Sequence, residues 1–159
     1  MKNVFKIIIS GIIIFNYGCS GSGEQKADNK DVVAPVQNEP VVSSEQTKKV
    51  LEHHLTAFGE NDLVSIMADY SDESILASPD STYKGLKQIE AFFTSVFPAF
   101  PSEGTASEID RMVIENELAY VVWHAKSPTV EVPLGTDTFI IEDGKIKIQT
   151  FAGVINPIN

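Results

Sequence analysis

The chain has 159 residues, 43% of them hydrophobic, and a formal net charge of −10. Such a length can bury one core, and the acidic balance excludes a nucleic-acid binder, whose phosphate contacts demand a basic patch, as well as a purely electrostatic hold on an anionic membrane. A single cysteine, Cys19, excludes an internal disulfide.

Lys2 and Lys6 bracket the start, and the apolar run Ile7–Phe15 follows. As a helix that run reaches about 14 Å, roughly half the hydrocarbon core of a bilayer, so it does not span one. A positive start, a short apolar core and small residues behind it are the marks of an export signal. Cys19 stands directly after Gly18 and before Ser20-Gly21-Ser22-Gly23. The segment resembles a bacterial lipoprotein signal, with residues 1–18 as the leader and Cys19 as the lipidated first residue of the mature chain. Asn16 and Tyr17 depart from the usual aliphatic and small residues of that motif; a plain cleaved leader and an uncleaved anchor are the alternatives. The resemblance implies an exported protein, lipid-anchored to a membrane of the cell envelope. Residues 19–43 are polar, Pro-containing and without an aromatic side chain, a composition that predicts a disordered tether with a reach of roughly 25–30 Å.

The folded domain is expected over 44–159. Ser43 and Gln46 form the pattern of a capping box, and Val50, Leu51, Leu55 and Phe58 then fall on one helical face. The helix is expected to stop near Gly59-Glu60-Asn61. Asp62 caps a short second helix with Leu63, Ile66, Met67 and Tyr70. A strand over Ser74–Ala77 ends at the turn residues Ser78-Pro79-Asp80, and a third helix after Gly85 carries Leu86, Ile89, Phe92, Phe93, Val96 and Phe97 up to Pro98. Strands follow over Glu108–Glu115, Leu118–Lys126, Thr136–Glu142 and Lys145–Ile155, the last two joined by Asp143-Gly144, a strong hairpin signal. Helices first and antiparallel strands afterwards predict an α+β fold, three helices packed on one face of a curved, mainly antiparallel sheet.

That order of elements resembles the nuclear transport factor 2-like superfamily, in its SnoaL-like and ketosteroid-isomerase-like branches. The resemblance rests on Asn61-Asp62-Leu63, Met67-Ala68-Asp69-Tyr70, Ser78-Pro79-Asp80, Tyr83-Lys84-Gly85, Ile89-Glu90-Ala91-Phe92-Phe93, and Asp143-Gly144-Lys145-Ile146 leading to Gln149-Thr150. It implies a cystatin-like cone closed by helices at one end, an apolar ligand pocket inside it, and a homodimer through the outer sheet face. It implies no single chemistry. Where the ketosteroid isomerases carry a tyrosine, this chain has His54; where they carry the Asp-Pro of the general base, it has Ser78-Pro79; their oxyanion-binding Asp is matched by Asp137. One member of three is retained, so the isomerase mechanism is not expected.

Asp137 is also reached from the strand pattern, being in phase with Phe139 and Ile141 on the apolar side. With a two-residue turn at Asp143-Gly144, Phe139 faces Ile148 and Asp137 faces Thr150; a bulged loop makes Phe151 or Gln149 its neighbour. A carboxylate there is either a buried group with a raised pKa or a partly solvated one bonded to Thr136, Thr138 or Thr150. His54, in register with Leu51 and Phe58, is expected to face inward in place of His53, as an acid–base group or as a packed core histidine. Trp123 and His124 point to opposite faces, and alternation alone does not say which faces the pocket. Phe58, Tyr70, Ser78, Tyr83, Phe93, Phe139, Gln149 and Phe151 complete the expected lining. Asp80 and Tyr83 are expected at its mouth, with Pro79-Asp80-Ser81 as an ordinary turn the alternative. No His-Glu-x-x-His spacing, glycine-rich phosphate loop or Gly-x-Ser-x-Gly is present, so no metal or cofactor is expected.

Three functions fit these residues: a membrane-tethered module binding a small apolar molecule, with Asp137 and His54 as its polar contacts; an isomerase, dehydratase or cyclase using a His54/Asp137 acid–base pair; and a protein-interaction domain using the outer sheet face.

Overall fold

Ser43 opens the first element of the computed structural model, which describes residues 43–158; the leader, Cys19 and nearly all of the 19–43 segment lie outside them. These residues belong to one unit, Asn38–Asn159. The Ser43 hydroxyl accepts from the Gln46 amide at 3.3 Å and starts α1, Ser44–Glu60. Only that half of the capping box forms; among the described residues the Gln46 side chain makes no return bond. The helix ends where Asn61 turns left-handed (φ 55) and its N–H closes on Ala57 and Phe58. Asp62 caps α2, Leu63–Ala68, accepting from the Ser65 amide at 3.0 Å. β1 (Ile75–Ala77) and β2 (Thr82–Lys84) form a short hairpin ahead of α3 (Gly85–Val96) and a 3₁₀ turn, Phe97–Ala99, around Pro98. Four long strands complete the unit: β3 Ala106–Glu115, β4 Leu118–Lys126, β5 Val130–Glu142 and β6 Lys145–Pro157.

The six strands form one sheet in the order β2-β1-β6-β5-β4-β3, antiparallel throughout except where β1 runs parallel to β6. The fold class is therefore the expected α+β one. Two features differ from expectation: β2 occupies a stretch to which no element was assigned, and β5 begins at Val130, with Pro133 accommodated where the β5–β6 register shifts between Glu131 and Leu134.

Further register shifts fall between Ile109 and Arg111, Trp123 and Ala125, and Ile140 and Ile141. Bulges of this kind bend a strand and sharpen its twist, and the bent sheet turns one face toward the helices. Leu51, Ile66, Leu76, Ile89, Phe93, Val121, Phe139, Ile141 and Ile146 are fully or almost fully buried between them. A smaller cluster of Phe100, Ala125 and Val132 closes the far end of the core. No helix among the described residues is long and apolar enough to cross a membrane.

Candidate functional site

The core does not fill the space between helices and sheet. A cavity of about 690 Å³ remains, walled by Phe58, Phe92 and Phe93 from the helices and by Trp123, Phe139 and Phe151 from the sheet. Such a volume suits a small-molecule ligand, and its largely apolar, aromatic-rich lining makes the polar groups within it decisive.

Asp137 is the first of these. Asp143 and Gly144 both have positive φ (52 and 71), as a two-residue type I′ turn requires, and Ile141 pairs with Ile146 as expected. Beyond that pair the register departs from expectation. Lys147 is bulged out, so Phe139 pairs with Gln149 rather than Ile148, and Asp137 with Phe151 rather than Thr150. The bulge, not the turn, makes the one-residue slip, and it sets Gln149 and Phe151 on the inner face beside Asp137. Gln149 Nε2 then donates to Asp137 Oδ1 at 2.9 Å, and Trp123 Nε1 donates to Oδ2 at 2.8 Å. Neither bond goes to Thr136, Thr138 or Thr150. Gln149 Oε1 in turn accepts from the Tyr70 hydroxyl. The opposite amide orientation would set an oxygen against a carboxylate, so the chain Tyr70–Gln149–Asp137 is directional.

Burial pushes the Asp137 carboxyl above its ordinary value, while the bonds from Gln149 and Trp123 and the nearby His54 pull the other way. Tyr70 is buried behind the cavity wall, and desolvation, with the charges of Asp137 and Asp69, holds its hydroxyl well above the ordinary tyrosine value. It is a fixed donor, not a titrating group.

His54 is the second polar group. Its ring is 3% exposed and packs edge-on against Tyr70, Phe93 and Phe139, with centroids 5.7, 5.9 and 5.3 Å away. It lines the cavity together with Asp137. Behind it lies Asp69, at the C-terminal end of α2, which sequence reasoning did not select. His53 Nδ1 stands 2.7 Å from Asp69 Oδ1, and His54 Nδ1 stands 3.5 Å from Oδ2, out of line for a hydrogen bond.

Phe58, Ser78, Tyr83, Phe93, Trp123, Phe139, Gln149 and Phe151 all border the cavity as expected. Tyr70 does not; it stands one layer behind Gln149. His124 is corrected outright. It points to the other face of β4, where Nδ1 meets the Asp110 carboxylate at 3.0 Å beside a shallow groove. The alternation of β4 gives the inner side to Val121, Trp123 and Ala125. Phe92, Phe100, Ile109 and Ile155 are lining residues that the sequence reading missed.

Residues 51–148, more than half of the chain, match the family model of the SnoaL-like domain. The chain belongs to that family. Solved structures agree with the fold. A Kribbella flavida protein proposed to be a ketosteroid isomerase aligns at 13% identity and TM-score 0.57, over 69% of this chain and 78% of its own. A Sinorhizobium meliloti protein proposed to be a polyketide cyclase aligns at 16% identity and TM-score 0.57, over 69% and 98%. A Methylobium petroleophilum protein of unknown function with a cystatin-like fold gives 17% identity and TM-score 0.58, over 76% and 82%. No curated protein matches the chain. At these identities the likeness extends to the fold of the SnoaL-like domain and not to its chemistry.

Proposed function

We propose that this SnoaL-like domain binds a small, largely apolar molecule that presents one hydroxyl or enol to Asp137. The carrying observation is the wiring of that carboxylate: each oxygen already accepts an N–H bond, from Gln149 and from Trp123. Both partners are donors only on that side, so the group is held as an acceptor, and its remaining lone pairs face an aromatic cavity. A ligand hydroxyl satisfies them; a second acceptor does not. The names given to two structural neighbours, a ketosteroid isomerase and a polyketide cyclase, favour apolar carbonyl compounds able to enolise as the ligand class.

The test is the melting temperature of the full chain with a panel of apolar phenols, enols and ketones. A ligand at a hundredfold excess over Kd adds about 2.7 kcal/mol, and Asp137→Leu is expected to lose the response to hydroxyl-bearing compounds. A panel that shifts nothing, or shifts both proteins equally, overturns the reading.

Two assembly features belong to the same proposal. Lipidation of Cys19 tethers the exported domain to a bacterial envelope membrane, a reading supported by the leader sequence; Cys19→Ala should then release the protein into the soluble fraction. Homodimerisation through the outer sheet face is supported by Leu134, Ile148 and Val154, which are 51%, 41% and 55% exposed there; sedimentation should report a dimer that Val154→Lys dissociates.

A further inference from the structure

Two buried polar atoms in this domain lack a hydrogen-bond partner and face one another: His54 Nδ1 and Asp69 Oδ2. His53 stands 2.7 Å from the other Asp69 oxygen and keeps the carboxylate in place. A carboxylate facing Nδ1 calls for a proton on that nitrogen, so Nε2 of the neutral imidazole is left as an acceptor. Nε2 also lacks a partner among the described residues, yet it is not sealed as Nδ1 is, and His54, 3% exposed, borders the cavity.

This acceptor is a neighbour of Asp137. The imidazole packs on Phe139 with ring centroids 5.3 Å apart. Phe139 and Asp137 share one face of β5, two residues apart, a repeat of about 7 Å along a strand. The donors of this wall are already used: Gln149 Nε2 and Trp123 Nε1 both point at Asp137. No lysine or arginine borders the cavity. A ligand with a single hydroxyl satisfies Asp137 and leaves His54 Nε2 desolvated and unpaired, which costs affinity. A carbonyl or ether oxygen placed there adds repulsion between lone pairs.

We propose that the cavity selects an apolar ligand with two hydroxyls on one edge, the first donating to Asp137 and the second to His54 Nε2. His54 is then the residue that determines this specificity, and Asp69 is the positioning residue that fixes its tautomer. The proposal rests on the binding reading above and narrows its ligand class from one hydroxyl to two. Hydroxyls at alternate carbons of one aromatic ring, each with a hydrogen bond of about 2.8 Å, span two acceptors so placed.

The probes are 5-pentylresorcinol, 3-pentylphenol and 3-methoxy-5-pentylphenol, titrated into the full chain by calorimetry at about pH 8, above the ordinary histidine value. The diol should bind at least about tenfold tighter than 3-pentylphenol, and the methyl ether more weakly than either. In His54→Phe the diol should lose its lead. Asp69→Leu should free the Nδ1 proton to move to Nε2 and reduce that lead. Histidine ¹⁵N spectra of the unsubstituted chain need no variant to fold: neutral His54 should carry its proton on Nδ1, and the diol, not 3-pentylphenol, should shift Nε2. Equal binding of the diol and either analogue overturns the proposal and leaves single-hydroxyl binding standing. A neutral His54 with its proton on Nε2, or a lead that survives His54→Phe, overturns it as well. If none of the three binds, the proposal fails; if the wider panel of phenols, enols and ketones also fails, the binding reading falls with it.

Discussion

The Trp123 indole lies over Gly135 on the neighbouring strand, and from there its Nε1 reaches Asp137 Oδ2 at 2.8 Å. A Cβ at residue 135 would stand 2.5 Å from the indole Cε2, so the flat placement of the ring depends on glycine. Phe151 stacks with the ring, centroids 6.1 Å apart, and Phe100 meets it edge-on at 6.4 Å. The indole is thus both part of the cavity wall and one of the two side-chain donors to the Asp137 carboxylate.

Asp137 should make the fold less stable as pH rises. Its carboxyl is raised in the folded state from an ordinary value of 3.8. Below that value both states hold the proton and the group contributes no pH dependence. As pH climbs from 3.8 to the folded-state value, the unfolded chain releases the proton more readily and the native state loses ground. Melting curves of the unsubstituted chain and Asp137→Asn, compared at steps from about pH 3.5 to 8, should show their difference moving against the unsubstituted chain through this window and then levelling. A difference moving the other way would mean that the bonds from Gln149 and Trp123 outweigh burial.

Trp123 is the only tryptophan of the chain, so its fluorescence reports on the cavity without interference. Ionisation of a carboxylate 2.8 Å from the indole nitrogen should change the emission over the same pH window. Asp137→Asn should abolish that change, and a cavity ligand should shift the emission at fixed pH. Emission indifferent to both pH and ligand would contradict the placement of the ring.

The inward aim of Asp137 was legible because a strand alternates with period two and Phe139 and Ile141 fix its phase. The same rule could not choose between Trp123 and His124. Val121 and Ala125 are apolar, but so is Val122, and only pairing with β5 shows which set faces the helices. The choice between Thr150 and the pair Phe151 and Gln149 as neighbours of Asp137 stayed open because a bulge at Lys147 has no sequence signature comparable to Asp143-Gly144. Asp69 left no local trace at all. It serves as an ordinary helix-ending residue of α2, and its link to His53 and His54 arises when the Asn61–Asp62 turn folds α2 back toward α1.

Gly135→Ala tests whether the indole is held by its surroundings. In an open strand the change would be mildly favourable, since glycine is the more flexible residue when unfolded. Here the new methyl meets Cε2, Cζ2 and Cδ2 at 2.5, 2.6 and 2.9 Å, and Phe151 and Phe100 restrict the escape of the ring. Overpacking of this kind costs about 1–3 kcal/mol. Urea unfolding should show a loss of that size, together with the fluorescence signature of a broken Trp123–Asp137 bond. A stabilised variant with unchanged emission would show that the ring yields freely.

Asn61 joins the end of α1 to the segment that closes the cavity. Its Nδ2 donates to the Phe58 and Phe100 carbonyls at 3.3 and 3.0 Å, and its Oδ1 accepts from the Ser102 amide at 2.8 Å, all from a backbone at φ 55. Two substitutions separate these contributions. Asn61→Gly keeps the left-handed turn at no steric cost and removes the side-chain bonds, which should cost about 1–2 kcal/mol. Asn61→Ala loses the bonds and strains the backbone as well, adding about 1 kcal/mol more. Because Phe100 borders the cavity, both variants should also weaken the ligand-induced rise in melting temperature, the glycine variant as much as the alanine one. Equal stability of Asn61→Gly and the unsubstituted chain would mean that the bonds to Phe100 and Ser102 contribute nothing. Equal stability of the two variants would mean that the turn is not strained.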